Sequence, residues 1–279
     1  SAAAYQSINL ARDFSKSMTQ IKALVGVASD EVDEMGVAAR RMAIETGRSA
    51  NQAAEALFFI TSAGLRGADA MAVLEASLKA SAVGLGETKT IADLATSALN
   101  AYKGSGMTAA DATDVLTASV REGKLEASEL SAAMGQVLPV ASNMGVQFHE
   151  VGAAFAAMSR TGTNASEAAT SLNAILTGLL KTTPDAEKAL EDMSLSSEGL
   201  KQQIKDEGLL SVLTTLKKKF DENKDAVQRV FPNVRALKGV LDLVGASAET
   251  NAEIFVSLSK SVGATDEAFG KTKDASFEF

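Results

Sequence analysis

Apolar positions along this chain recur at three- and four-residue steps, the period of an amphipathic helix. In TGRSANQAAEALFFITSAGLRG (46–67), Ala53, Leu57, Ile60 and Gly64 share one face. After Gly67 a second ladder runs through Met71, Leu74, Leu78 and Ala82, until Gly84 and Gly86 interrupt it. TKTIADLATSALNAY (88–102) then aligns Ile91, Ala95, Ala98 and Tyr102, and TAADATDVLTASV (108–120) aligns Ala112, Val115, Leu116 and Val120. A third pair follows: SELSAAMGQVLPVASNMG (128–145), then EVGAAFAAMSR (150–160) with Val151, Ala154, Phe155 and Met158 in register. The first helix of each pair begins near Ser49, Thr88 and Ser128, which predicts a unit of roughly forty residues, helix, glycine turn, helix. One such hairpin cannot bury its apolar stripe alone, so stacked neighbours are expected.

Start and stop signals divide the remainder. Ser49 with Gln52 has capping-box spacing, Asn164 with Glu167 has a similar one, and Thr183–Pro184 puts a cap residue before a first-turn proline. Pro139 falls inside a helical pattern, so a break is expected just before it, near Leu138. From 183 the chain is more charged, with a helix pair and then two further helices split at Phe231–Pro232. A last helix over 251–263 is expected to precede a polar, fraying end. These readings give three segments: an N-terminal helical segment (1–44), a helical-hairpin core (45–182) and a C-terminal helical region (183–279).

Composition strengthens the all-α expectation. Alanine is the commonest residue, and Pro (3) and aromatics (5%) are scarce among 279 residues. There is no Cys, so neither disulfides nor thiolate metal sites can form. A net charge of −8 argues against specific nucleic-acid binding, which needs a basic face. No signal-like pattern opens the chain. It begins without Met and stops at FEF, so a piece of something longer is expected. Leu130–Phe148 is poor in charge, but Ser, Gln, Pro and Asn interrupt it, and a packed helical stretch is expected there rather than a membrane span.

Candidate chemistry is thin. His149, the single histidine, lacks the companion ligands of a zinc or iron site. Asp30, Glu31, Asp33 and Glu34 lack the spacing of a calcium loop and read as first-turn acids after Ser29. Lys217, Lys218 and Lys219 splay around a helix beside Asp221 and Glu222, so they form no compact phosphate clamp. Gly84–Leu85–Gly86 and Gly104–Ser105–Gly106 lack the strand before and the Gly-Lys-Ser/Thr ending of a phosphate loop. RTGTNASE (160–167) could be a phosphate-gripping helix start, but Glu167 would repel the anion. No catalytic, cofactor-binding or metal residues are assigned, and no cofactor is expected.

The order of segments nevertheless resembles a known family. DVLTASVREGKLEASELSAAMGQVLPVASNMGV (114–146) precedes AAFAAMSRTGTNASEAATSLNAILTGLL (153–180), then RVFPNVRALKGVLDL (229–243) and SKSVGATDEAF (259–269), with its Gly-Ala-Thr-Asp turn. This resembles the core region of phage tail tape measure proteins over residues 40–279. Pro232 stands where the family pattern leads one to expect glycine. The resemblance implies a structural protein of a phage or phage-like tail, in the tube lumen or at the tip of the virion and in the host cytoplasm during assembly. It also implies a part in setting tail length and release ahead of DNA. The partners implied are the tail tube protein, tail-tip or baseplate hub proteins, tail assembly chaperones and further copies of itself as a trimer, with host inner membrane contact during infection. Two rival readings are a generic α-solenoid interaction module and a membrane-active helical segment; an enzyme comes last.

Overall fold

The computed structural model describes residues 12–26 and 28–277 of the chain; the opening stretch 1–11, on which the expectation of no signal pattern falls, lies outside them. All regular structure among these residues is helical. A first helix, α1 (12–20), ends in a π-wound turn, Ile21–Val25. Next come α2 (Ser29–Glu45), α3 (Ala50–Ser62), α4 (Gly67–Ala82), α5 (Thr88–Ala101) and α6 (Ala109–Glu122). They are followed by α7 (Ala127–Met134), α8 (Leu138–Met144), α9 (Phe148–Arg160), α10 (Ala165–Leu180), α11 (Pro184–Asp192) and α12 (Ser197–Glu207). The remainder are α13 (Leu209–Glu222), α14 (Ala226–Val230), α15 (Val234–Val244), α16 (Ala248–Leu258) and α17 (Ala264–Phe277).

The helices begin where short-range chemistry tells them to. Ser49 Oγ accepts from Gln52 N at 3.2 Å while Gln52 Oε1 accepts from Ser49 N at 3.1 Å, a closed capping box. Asn164 Oδ1 accepts from Glu167 N at 2.9 Å, and Thr183 Oγ1 from Ala186 N at 3.2 Å ahead of Pro184. The break before Pro139 is real: α7 stops at Met134, and α8 starts with Pro139 in its first turn.

Three expectations need correction. The stretch 209–244 holds three helices rather than two, because the chain also breaks at Asn223 between α13 and α14. The polar end expected to fray is the helix α17. Its start is capped by a side chain from α6, which a reading of neighbouring residues cannot show. The Phe231–Pro232 turn has no left-handed residue, so glycine is not required there. Phe231 is instead a buried plug, edge-on to Phe220 with ring centroids 6.3 Å apart.

The chain divides into two compact units, one running to Thr117 and including Val262 onward, the other Ala118–Ser261. In the first, α3 is central and packs against α2, α4, α5 and the π-turn. Its predicted ladder Ala53, Leu57 and Ile60 is fully buried, and each Leu or Ile contributes about 1.5–3 kcal/mol through burial. In the second, α9 and α10 form the core. Phe148 and every residue of α9 from Glu150 to Ser159 are buried. Its alanines and glycine let α7, α8, α10, α15 and α16 approach it. α10 buries Ala168, Leu172, Ile175, Leu176 and Leu179 and packs on α15 at Gly239. A Cβ at Gly239 would lie 2.9 Å from both Ile175 Cδ1 and Ser171 Cβ. Helices distant in sequence thus meet in this unit, and the packing does not establish the stacked forty-residue array. Among the described residues no helix is long and apolar enough to cross a membrane.

Candidate functional site

The residues singled out from sequence do not converge. His149 lies half-buried in the first turn of α9, where burial pushes its pKa down. Asp30 and Glu31 occupy the first turn of α2, and Asp33 pairs with Lys22 at 2.8 Å. Lys217 is tied to Asp221 at 2.6 Å on α13, one turn away. Gly84–Leu85–Gly86 is a helix stop: Gly84 takes φ +90°, and the N–H of Leu85 returns to the carbonyl of Ala80 at 3.1 Å. Among the described residues no group of three or more acidic or imidazole side chains could hold a metal ion.

The helix start at 160–167 borders a polar cleft of about 360 Å³. Ser166, Glu167 and Thr170 face Arg235 and Lys238 across it. Lys238 is already engaged, donating to Thr163 Oγ1 at 2.5 Å and to Asp242 Oδ2 at 2.8 Å. With Glu167 inside the cleft, the cations there are offset and no anion cradle results. A second groove of about 310 Å³ runs between α13, α14 and α15 over Phe220, Val227, Leu237 and Leu241, with Lys224 at its rim. It has no set of converging polar groups from which chemistry could be built.

The structure does build two polar sites that the sequence reading missed, and both are structural. Glu150, only 6% exposed, serves two helix starts at once. Its Oε2 accepts from Gln147 N at 3.2 Å at the head of α9. Its Oε1 accepts from Leu209 N at 2.7 Å and Leu210 N at 3.4 Å at the head of α13. Burial pushes its carboxyl up, against the pull of these three N–H groups. Gly208 must be glycine here: its φ is +91°, and a Cβ would sit 2.5 Å from the Glu150 Oε1.

Asp114 holds one helix start in the other unit. It is 4% exposed on α6, its Oδ2 accepts from Gly263 N at 2.6 Å and its Oδ1 from Thr265 N at 2.8 Å. Each carboxylate sits at a helix N-terminus, where orphan N–H groups and the helix dipole favour an anion. The Gln147–Glu150 spacing could have revealed the first half of one site. An aspartate among the buried positions of α6, between Ala112 and Ala118, is the signal for the other.

A family model described as phage-related minor tail protein matches residues 9–233. The "Tape measure protein" of Pneumococcus phage Dp-1 is 27% identical over 268 residues, covering 94% of this chain and 23% of that protein. The "Probable tape measure protein" of Clostridium phage phiCD119 is 25% identical over 268 residues, covering 93% of this chain and 28% of that protein. The chain thus spans about a quarter of the length of these curated relatives. No solved structure matches it. The resemblance carried by residues 114–146, 153–180, 229–243 and 259–269 is borne out by the tape measure matches. Since the family match covers most of both units, from residue 9 to the Asn233 cap of α15, the chain belongs to the phage-related minor tail protein family.

Proposed function

We propose that this chain is a compactly folded segment of a tail tape measure protein, placed in the tail tube lumen or at the tail tip. In this reading it takes part in the assembly that sets tail length and leaves ahead of the DNA at infection. The observation that carries the reading is coverage: nearly the whole chain is similar to tape measure proteins, yet it matches only 23% and 28% of their lengths.

Short helices folded into two compact units support this over a measuring rod. A ruler gains most length per residue as one unbroken helix rising about 1.5 Å per residue, and the 265 described residues would then span roughly 400 Å. The longest helix among the described residues has 17 residues, about 25 Å. The net charge of −8 suits a chain that shares a channel with DNA without retaining it.

The partners of this reading are the tail tube protein, tip or hub proteins, assembly chaperones and further copies of the chain as a trimer. No catalytic step is part of it, and the host inner membrane is a contact only during infection. Its test is deletion of residues 12–277 from the full-length tail gene, with tail lengths measured by electron microscopy. Tails that assemble keep their length to within a small fraction of the roughly 400 Å extended equivalent. Shortening by that full amount would refute the compact-segment reading.

A further inference from the structure

α2 buries one face and leaves the opposite one bare. Val32, Met35, Gly36, Ala39 and Ala43 are buried, and the helix packs on α3 and α4. On the other side Asp30, Glu34, Val37, Arg41 and Ile44 are exposed. Their steps of three and four residues set them in one stripe along the helix. Val37 is 69% exposed and Ile44 80%, so the apolar part of the stripe is uncovered within the chain.

Charge is sorted along this stripe, acids in its first half and arginine in its second. The neighbours at its edge are engaged elsewhere. Asp33 pairs with Lys22 at 2.8 Å, and the Arg40 guanidinium lies 4.1 Å from the centre of the Phe14 ring. Arg41 approaches Glu45 at 3.9 Å, a loose pair between exposed side chains that holds it weakly. Glu34 and Arg41 thus face solvent two helical turns apart, about 10 Å along the axis, with Val37 between them.

A stripe with acid at one end and base at the other complements itself when turned end for end. Two copies laid parallel would set Glu34 beside Glu34 and Arg41 beside Arg41, like against like. Laid antiparallel about a two-fold axis at Val37, they bring Glu34 of each chain against Arg41 of the other, at both ends, and Val37 against Val37. Ile44 then lies over the first turn of the opposing helix. We propose that the outer stripe of α2 docks a second copy of this chain, antiparallel, through paired Glu34–Arg41 contacts around a Val37 centre. The contact goes beyond the tail reading and does not depend on it. A two-fold pair is also distinct from the threefold assembly of that reading.

Sedimentation velocity on the 279-residue chain tests this, at concentrations up to about 1 mM and at low and high salt. Wild type is expected to show a monomer–dimer equilibrium that weakens as salt rises. Glu34→Arg or Arg41→Glu alone sets like charges against each other at both ends, and raises the dimer dissociation constant at least about tenfold. The two reversals in one chain restore the pairing with its sign exchanged, and return the constant to within about threefold of wild type. Val37→Asp abolishes the dimer. These positions are exposed, so circular dichroism should show each variant folded like wild type. A wild type that stays monomeric, or that forms trimers, overturns the proposal. So does a dimer that ignores salt or the single reversals, or a double reversal that fails to restore it. Should a reversal not fold, the salt dependence of wild type and Val37→Asp decide by the same criteria.

Discussion

Replacing Glu150 by alanine tests whether one buried carboxylate holds two helix starts. The bonds from Leu209 N at 2.7 Å and Gln147 N at 3.2 Å are of full strength, and that from Leu210 N at 3.4 Å is weak. Leu209 is fully buried, so water does not readily replace the lost acceptor. A buried donor left without a partner costs about 1–3 kcal/mol. Two such donors and the space left by the side chain outweigh the relief of the carboxylate's own burial, for a net loss of about 3 kcal/mol. Glu150→Gln keeps the shape and the acceptor toward α13 but turns an N–H toward that of Gln147, and loses about 1 kcal/mol.

The pH dependence sharpens the test. Burial outweighs the three N–H bonds, so the folded-state pKa of Glu150 lies above its unfolded value of about 4.3. The folded form then binds the proton more tightly. Stability from this group is complete below the unfolded pKa and is lost as pH rises through the folded one. The margin of wild type over Glu150→Gln therefore shrinks as pH rises from about 4 toward neutrality. Urea unfolding at a series of pH values measures the margin, and hydrogen exchange at Leu209 and Leu210 reports on the head of α13. A margin that widens with rising pH would refute the reasoning, as would full protection of those amides in Glu150→Ala.

Two other substitutions probe the packing and the caps. Gly239→Ala forces a Cβ to 2.9 Å from Ile175 and Ser171, and is expected to cost about 1–3 kcal/mol. A thermal midpoint equal to wild type would show that α10 and α15 are not in close contact there. Ser49→Ala removes one side of the capping box of α3 and is expected to cost about 1 kcal/mol. Denaturant unfolding checks it, with Ser49→Asp, which can still cap, recovering most of the loss.

Much of the secondary structure was legible because the forces that start and stop helices act within four residues. Ser49–Gln52, Thr183–Pro184 and the Pro139 break needed no knowledge of the rest of the chain. The same locality explains the misses. α17 looked like a fraying end because its cap, Asp114, lies far away in sequence on α6. Glu150 was not singled out because its second helix, α13, begins 59 residues later. The glycine expected after Phe231 proved unnecessary, since the turn is anchored by a buried ring.

By itself the sequence determined an all-helical chain, the placing of most helix ends, the absence of thiol chemistry and the resemblance that the family match bears out. Only the tertiary structure decided which helices meet: α10 with α15, α9 with α16, α4 with α17. Periodicity says that a face is apolar, and many alanine-rich faces here are nearly equivalent in that respect. The choice among them rests on fits between distant residues, such as Gly239 against Ser171, Gly208 beneath Glu150 and Asp114 at the head of α17. Those fits exist only once the chain has folded.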